Sequence, residues 1–286
     1  MLTAKTKILC IIGHPIDHSL SVIMHNAAIQ KIELDYRYIA FNVFPNDLSN
    51  AIDGLKSLNI KGASITIPHK ISVMKYLDII EPMAEMIGAI NTIKNEDGIL
   101  IGRNTDGEGF LKSVKESGYN IKNKKVVLFG AGGAARACAF YLAKEVDKIT
   151  IINRSDARMN DLISKLNSNY SISIKGINLS KKEEIKKEIA DSDMLVNTTP
   201  VGMYPKVNVS PVNPLWLHPN LFVVDLIYSP IHTKLLQDAS SIGCNVLSGV
   251  GMLINQGIIA FEWWTGFSPD KKLMKQVVIA ELEKLK

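Results

Sequence analysis

The chain has little of what marks extracellular, membrane or metal-dependent proteins. Its 286 residues include 3 cysteines, and Cys10, Cys138 and Cys244 lie far apart in apolar surroundings with no C-x-x-C pair. That excludes a disulfide framework and a thiolate metal site, and predicts reduced core cysteines in a cytoplasmic protein. Histidines with ligand spacing are missing too, since His14, His18 and His69 fall on separate segments, so no metal is expected. No apolar run reaches the roughly 18 residues of a membrane helix. The apolar segment Ile8–Ile12 before Gly13-His14-Pro15 is too short for a signal peptide, and no membrane partner is expected. Charge of one sign is scarce as well: 33 Lys and Arg stand against 28 Asp and Glu, a net +5. So mild a surplus excludes a nucleic-acid stripe and suits small anionic ligands. The basic pairs Lys181-Lys182 and Lys186-Lys187 alternate with Glu183, Glu184 and Glu188, which predicts a solvated helix face with i,i+4 pairing.

What is abundant is apolar residue, 47% of the chain, enough for one large or two ordinary domains. Strand-type runs alternate with helical periodicity. The pattern predicts strands at Lys7–Ile12, Tyr36–Val43 and Ala63–Ile67, with helices at Val22–Gln30 and Leu48–Leu58. Alternation of this kind implies a mostly parallel sheet covered by helices. Short runs at Ile90–Ile93 and Ile99–Ile101 flank Asn95-Glu96-Asp97-Gly98, a hairpin signal through its Asp-Gly pair. A helix is expected from Asp106 to Ser117. Further strands are expected near Ile172–Ile177, Met194–Asn197, Phe222–Asp225 and Asn245–Leu247, with a Pro-rich loop at Val201–Pro219 and helices from Gly249 to Trp264 and from Asp270 onward. The expected fold class is α/β in two lobes with a cleft between them.

The most specific stretch is 124–158. A strand, Lys125 to Phe129, delivers Gly130-Ala131-Gly132-Gly133-Ala134, a helical pattern follows, and a second strand ends in Asn153-Arg154-Ser155. This is a βαβ unit with G-x-G-x-x-A at its first turn, where glycines let the backbone approach a pyrophosphate seated on a helix N-terminus. The end of the second strand reads the adenosine ribose. Arg154 and Arg158 there favour a 2′-phosphate and hence NADP. Asp156 between them could instead accept from a free 2′-hydroxyl, so NAD stays open.

Four polar clusters punctuate the first third. His18-Ser19-Leu20-Ser21 precedes a helix, so its serines either cap that helix or present hydroxyls to a carboxylate. Thr66-Ile67-Pro68-His69-Lys70 closes a buried strand, and a lysine at such an edge can serve as acid or base. Asn91-Thr92 and Asn104-Thr105-Asp106-Gly107 complete the set. Asp106 opens a helix, where the dipole stabilises a carboxylate.

Taken together the motifs resemble the shikimate dehydrogenase family along almost the whole chain. They are GHPIDHSLS, SITIPHK, GAINT, NTDG, GAGGAAR, NRS, NTTPVGM, DLIY and GVGMLINQG, in that order. The resemblance implies reversible NADP-dependent reduction of 3-dehydroshikimate to shikimate, in chorismate and aromatic amino-acid biosynthesis. It implies a substrate-binding domain of residues 1–105 plus 255–286 and a Rossmann-like NADP-binding domain of 106–254. Carried over by position, Lys70 and Asp106 form the catalytic pair. Ser19 and Ser21 hold the substrate carboxylate, and Thr66, Asn91 and Gln256 meet ring hydroxyls with Tyr228 beside them. Gly130, Ala131, Gly132, Gly133 and Ala134 fall on the pyrophosphate loop, and Asn153, Arg154, Ser155 and Arg158 on the adenosine phosphate site. Leu226, Gly249 and Met252 line the nicotinamide pocket. Ser64 departs from the family, which has Asn there. A quinate/shikimate dehydrogenase using both cofactors, or a non-catalytic dinucleotide sensor, are the alternatives. Either a monomer or a homodimer is compatible with the sequence.

Overall fold

A computed structural model describes residues 2–284. The described chain divides into two compact units, one holding residues 2–105 and 254–284, the other Asp106–Leu253.

The first unit opens with β1 (Lys7–Gly13), α1 (Ser21–Lys31), β2 (Tyr36–Asn42), α2 (Leu48–Ser57) and β3 (Gly62–Ile65). It continues with β4 (Ile79–Ile80), α3 (Pro82–Ile87), β5 (Thr92–Glu96) and β6 (Ile99–Arg103). Its six strands run in the order β2-β1-β3-β5-β6-β4. β1 pairs in parallel with β2 and β3, and β4 with β6, whereas β5 runs antiparallel to β3 and β6. Both faces of β1 and β3 are covered, as their buried Leu9, Cys10, Ile11, Ile12, Ala63 and Ile65 show, and β1 accordingly reads as a near-continuous apolar run.

Three expectations need correction. The strand predicted to Ile67 ends at Ile65, because Pro68 has no N–H to donate and the chain turns there, with His69 N donating to Thr66 O at 2.9 Å. The hairpin turn is Asp97-Gly98 alone, both at positive φ (51° and 94°), the pair that a two-residue turn matching strand twist requires. Asn95 and Glu96 therefore belong to β5, and the buried Asn95 side chain accepts from Gly98 N at 2.8 Å and donates to Leu55 O at 2.9 Å. The arm expected at Ile90 starts at Thr92, since Ile90 N is spent on Lys70 O at 2.7 Å. Two short elements had no periodic signal, β4 and α3. The second is framed by Pro82 in its first turn and by Gly88 in the left-handed region at its C-cap.

The second unit comprises α4 (Asp106–Glu116), β7 (Lys125–Phe129), α5 (Gly133–Leu142), β8 (Lys148–Asn153), α6 (Asp156–Asn169) and β9 (Ser173–Asn178). After these come α7 (Lys182–Ala190), β10 (Met194–Asn197), β11 (Phe222–Asp225), α8 (Lys234–Ile242) and β12 (Asn245–Ser248). All pairings are parallel, in the order β12-β11-β10-β7-β8-β9. The strand order reverses between β10 and β7, the place where open α/β sheets take their ligands. The solvated face expected of α7 holds only in part. Lys181 pairs with Glu184 at 3.0 Å, but Glu188 reaches across to Lys148 on β8 at 2.7 Å and Lys175 on β9 at 2.6 Å. Burial pushes the Glu188 carboxyl up, yet the hydrogen bonds from Lys148, Lys175 and Thr150 outweigh it and hold the group down at about 2.

A buried carboxylate ties the carboxyl ends of β10 and β11 together. Asp225 is wholly buried and accepts from Thr233 Oγ1 at 2.7 Å, Asn197 Nδ2 at 3.0 Å and Ile227 N at 3.1 Å. Thr233 in turn caps α8. Burial is the largest influence on Asp225 and pushes its carboxyl up to about 6 against those donors.

The chain closes with α9 (Val250–Thr265) and α10 (Lys271–Lys284). In the first unit, Phe261 and Trp264 of α9 pack with His25 of α1 and Tyr38 of β2. His25 lies 4.4 Å from Tyr38 and 5.5 Å from Trp264, ring centre to ring centre. Trp264 Nε1 donates to Ile93 O at 2.8 Å. His25 is fully buried, and among the described residues neither of its ring nitrogens has a hydrogen-bond partner. β3 passes so close to this cluster that a Cβ on Gly62 would strike the Trp264 indole.

Two expected outcomes follow. Gly62→Ala should lower the unfolding free energy by about 1–3 kcal/mol, the usual cost of overpacking, in a denaturant titration read by tryptophan fluorescence. For Asp225 the carboxyl is raised in the fold from 3.8 to about 6, so its contribution is complete below pH 3.8 and is lost as pH rises through 6. Asp225→Asn, which never charges, should therefore gain stability on wild type by roughly 2–3 kcal/mol between pH 4 and pH 7. Parallel stability curves for the two proteins across that range would refute the assignment.

Candidate functional site

In the second unit, β7 ends in the glycine turn, where Gly130 needs a bare backbone and Gly132 leaves space clear. Gly130 sits at φ +115°, and a Cβ on it would collide with the Thr198 hydroxyl. That hydroxyl donates to Phe129 O at 2.6 Å, so Thr198 is part of the loop's wall. Gly132 is the N-cap of α5 with extended backbone, and a Cβ placed on it would point into open space. Open space before a helix N-terminus, with Gly133 and Ala134 supplying the first free N–H groups, is what a pyrophosphate needs. Ala131 is buried behind them.

The end of β8 is organised by side chains on its own backbone. Asn153 Nδ2 donates to Ser155 O at 2.9 Å, and Ser155 caps α6 by accepting from Arg158 N at 3.4 Å. Arg154 and Arg158 are exposed. Asp156 Oδ1 accepts from Asn178 Nδ2 at 2.7 Å and occupies the first turn of α6, so its charge is already engaged by an amide and the helix dipole. The residues present therefore fit a phosphorylated adenosine: two arginines and a capped helix start, with the acid of the first turn, Asp156, tied down.

Leu226 and Ile227 follow the Asp225 knot directly. A Cβ on Gly249 would overlap the Leu226 carbonyl, so only glycine allows the close approach in which Gly249 N donates to Ile227 O at 3.1 Å. Met252 is buried on α9, and Tyr228 is partly buried, its phenol pushed up by burial.

In the first unit, the polar clusters collect at one edge of the sheet. The carboxyl ends of the parallel β1 and β3 lead into 14–20 and 66–71, and the antiparallel β5 begins at that edge, with Ile65 N donating to Asn91 O at 2.7 Å. Asn91 is the centre. Its Oδ1 accepts from Thr105 N at 2.7 Å and Thr92 Oγ1 at 3.0 Å, and its Nδ2 donates to Thr105 Oγ1 at 2.9 Å and Gln256 Oε1 at 3.4 Å. Gln256 arrives from α9, 165 positions away. Lys70 is half-buried, with its carbonyl bonded to Ile90 N, next to Asn91. Thr66 is half-buried, and a Cβ on Gly13 would press into its methyl group. The buried Asp106 begins α4 immediately after Thr105.

The Ser-x-Ser pair is not a helix cap, contrary to one of its two readings. Leu20 is the N-cap and no side chain caps there; Ser19 precedes it, half-buried, and the buried Ser21 is the first helical residue. Ser64 Oγ accepts from Tyr38 OH at 2.7 Å, so the departure from asparagine is filled by a buried hydroxyl pair. Thr105, Asp225 and Arg136 were not singled out individually by sequence reasoning. Each lies inside a quoted motif, NTDG, DLIY and GAGGAAR, and that was the available signal.

All three cysteines are buried, and none is in a disulfide among the described residues. Among the described residues no helix is long and apolar enough to cross a membrane, and no group of His, Cys, Asp and Glu is placed to hold a metal ion.

Comparison with known proteins gives consistent matches along the chain. Residues 11–93 match the family model for the shikimate dehydrogenase substrate binding domain. Residues 112–226 match that for shikimate/quinate 5-dehydrogenase, and 249–279 that for the shikimate 5′-dehydrogenase C-terminal domain. The shikimate dehydrogenase (NADP(+)) of Methanocaldococcus jannaschii is 45% identical over 289 residues, covering 99% of this chain and 100% of that one. A crystal structure of a shikimate dehydrogenase in complex with NADP+ superposes with TM-score 0.91 at 43% identity, covering 99% of this chain and 98% of the other. The shikimate 5-dehydrogenase of Listeria monocytogenes, in complex with shikimate and NAD, gives TM-score 0.89 at 38% identity, with 97% and 98% covered. With identities of this size over the full length of both chains, this chain belongs to the shikimate dehydrogenase family.

Proposed function

We propose that the chain catalyses the reversible, NADP-dependent reduction of 3-dehydroshikimate to shikimate, as an oxidoreductase of aromatic amino-acid biosynthesis. The observation that carries this reading is the Asn91 cluster, which brings Gln256 to Asn91 and ties Lys70 and Thr105 to the same sheet edge. A small polyhydroxy acid needs several fixed donors and acceptors on one rigid frame, and that edge provides them. The bound cofactor would supply hydride at a carbonyl carbon. Lys70 meets the negative charge that develops on the carbonyl oxygen and delivers the proton there. Asp106, fixed by Thr105 before it, holds the neighbouring ring hydroxyl. Ser19 and Ser21, whose hydroxyls are not spent on capping α1, bind the carboxylate. Thr66, Asn91 and Gln256 bind the remaining hydroxyls, with Tyr228 beside them.

In this reading the first unit is the substrate-binding domain and the second, with its glycine turn, the NADP-binding domain. Gly130 to Ala134 cradle the pyrophosphate, Asn153, Arg154, Ser155 and Arg158 the adenosine phosphate, and Leu226, Gly249 and Met252 the nicotinamide. The engagement of Asp156 by Asn178 supports NADP over NAD. A cytoplasmic monomer or homodimer is part of the same proposal.

The test is turnover of shikimate and of quinate, each with NADP and with NAD, followed by nicotinamide absorbance. Shikimate with NADP should give the highest kcat/KM. Quinate with NAD as the best pair would make the chain a quinate dehydrogenase, and cofactor binding without any turnover would make it a sensor. Lys70→Ala should lower kcat by about 10²–10⁴-fold with KM little changed. Ser19→Ala and Ser21→Ala should each raise KM for shikimate about tenfold, the value of a hydrogen bond to a charged group. An unchanged KM in both serine variants would remove them from the carboxylate site.

A further inference from the structure

Arg136 is the fourth residue of α5, and its place is unusual for an arginine. Its side chain is only 6% exposed, and among the described residues its Nε has no hydrogen-bond partner. A buried guanidinium with an unmet donor is costly and calls for a reason. Through Nη2 it forms an ion pair with Asp161 on the neighbouring helix α6, and Asp161 is itself half-exposed. Asp161 lies three residues after Arg158, on the same face of α6. Arg158 is exposed and forms no ion pair among the described residues. Arg136's hydrogen bond holds the Asp161 carboxyl below its ordinary range against the effect of burial, and Lys165 adds to this.

With Asp156 in the first turn held by Asn178, Asp161 is the next acid along α6, three residues from Arg158. Left unpaired, its carboxylate would repel a phosphate at the start of α6 and attract Arg158 one turn back. We propose that Arg136 is a positioning residue for cofactor choice: by engaging Asp161 it keeps Arg158 available for a 2′-phosphate on the adenosine ribose of a pyridine dinucleotide. The inference rests on the dinucleotide reading given above and deepens it. Because Lys165 also acts on Asp161, the loss of Arg136 alone should have a modest effect.

The test is fluorescence titration of purified protein with NADPH and with NADH. Arg136→Met should weaken NADPH by roughly three- to tenfold, with NADH changing less than about twofold. Adding Asp161→Asn to that variant should restore NADPH binding, and Asp161→Asn alone should bind NADPH at least as well as wild type. In an Arg158→Ala background, Arg136→Met should no longer change NADPH affinity. Equal weakening of NADPH and NADH, or no rescue by Asp161→Asn, overturns the proposal. Should Arg136→Met fail to fold, Arg136→Lys keeps a charge in place with fewer donors, and its loss of NADPH must again be reversed by Asp161→Asn. Wild type that binds NADPH no better than NADH would sink the cofactor reading itself. A wild-type preference that the variants leave untouched sinks only the role of Arg136.

Discussion

The buried carboxamide of Asn91 is the interaction on which the first unit's site depends. It joins the start of β5 to the segment after β6, beyond the last rung of their ladder, and both to the helix α9. All of its donors and acceptors are used, and this matters because a half-satisfied amide in a core is worse than none. Aspartate there would lose both N–H donors, to Thr105 and to Gln256. Leucine would leave Thr105 N without an acceptor. In the proposed function the residues that would meet the substrate belong to the same network that satisfies the sheet edge, so substrate geometry and local stability would share them.

The second unit solves a different problem with the same means. Its parallel strands need nothing from side chains to pair, and the reversal of strand order opens the edge by topology alone. What side chains must do is hold the loops that leave β10 and β11, and a carboxylate with three donors does so. The glycines then work by what they leave out: Gly249 admits the Leu226 carbonyl, and Gly132 leaves the mouth of α5 clear.

Much of this was legible in the amino-acid sequence because the relevant signals are local. The glycine turn between a strand and a helix, the buried runs of β1 and β3 and the Asp-Gly hairpin each declare themselves within a few residues. Ser19, Thr66, Lys70 and Asn91 could be placed at element ends for the same reason. The boundaries that slipped, at Ile67 and Ile90, are where Pro68 and a long-range bond to Lys70 overrule apolar character. Contacts across long separations left no local trace. The meeting of Asn91 with Gln256 came only through the family resemblance, and the pairing of Arg136 with Asp161 did not come at all, since neither residue breaks the pattern of its own helix. Asp156 has the sequence position of a rival for the ribose, but Asn178, far along the chain, donates to its carboxylate.

The buried ring of His25, without a hydrogen-bond partner among the described residues, has a consequence for the molecule in acid. Enclosed by Tyr38, Phe261 and Trp264, it is driven down by burial from 6.5 to about 3. The unfolded chain therefore takes up a proton there before the folded one does. This imidazole leaves stability intact above pH 6.5 and withdraws it progressively as pH falls toward 3. The buried carboxyl of the second unit titrates in much the same window with the opposite sign. Mild acid thus withdraws support from the aromatic anchor of the first unit while it relieves the second, so through these two groups the units respond to pH in opposite senses.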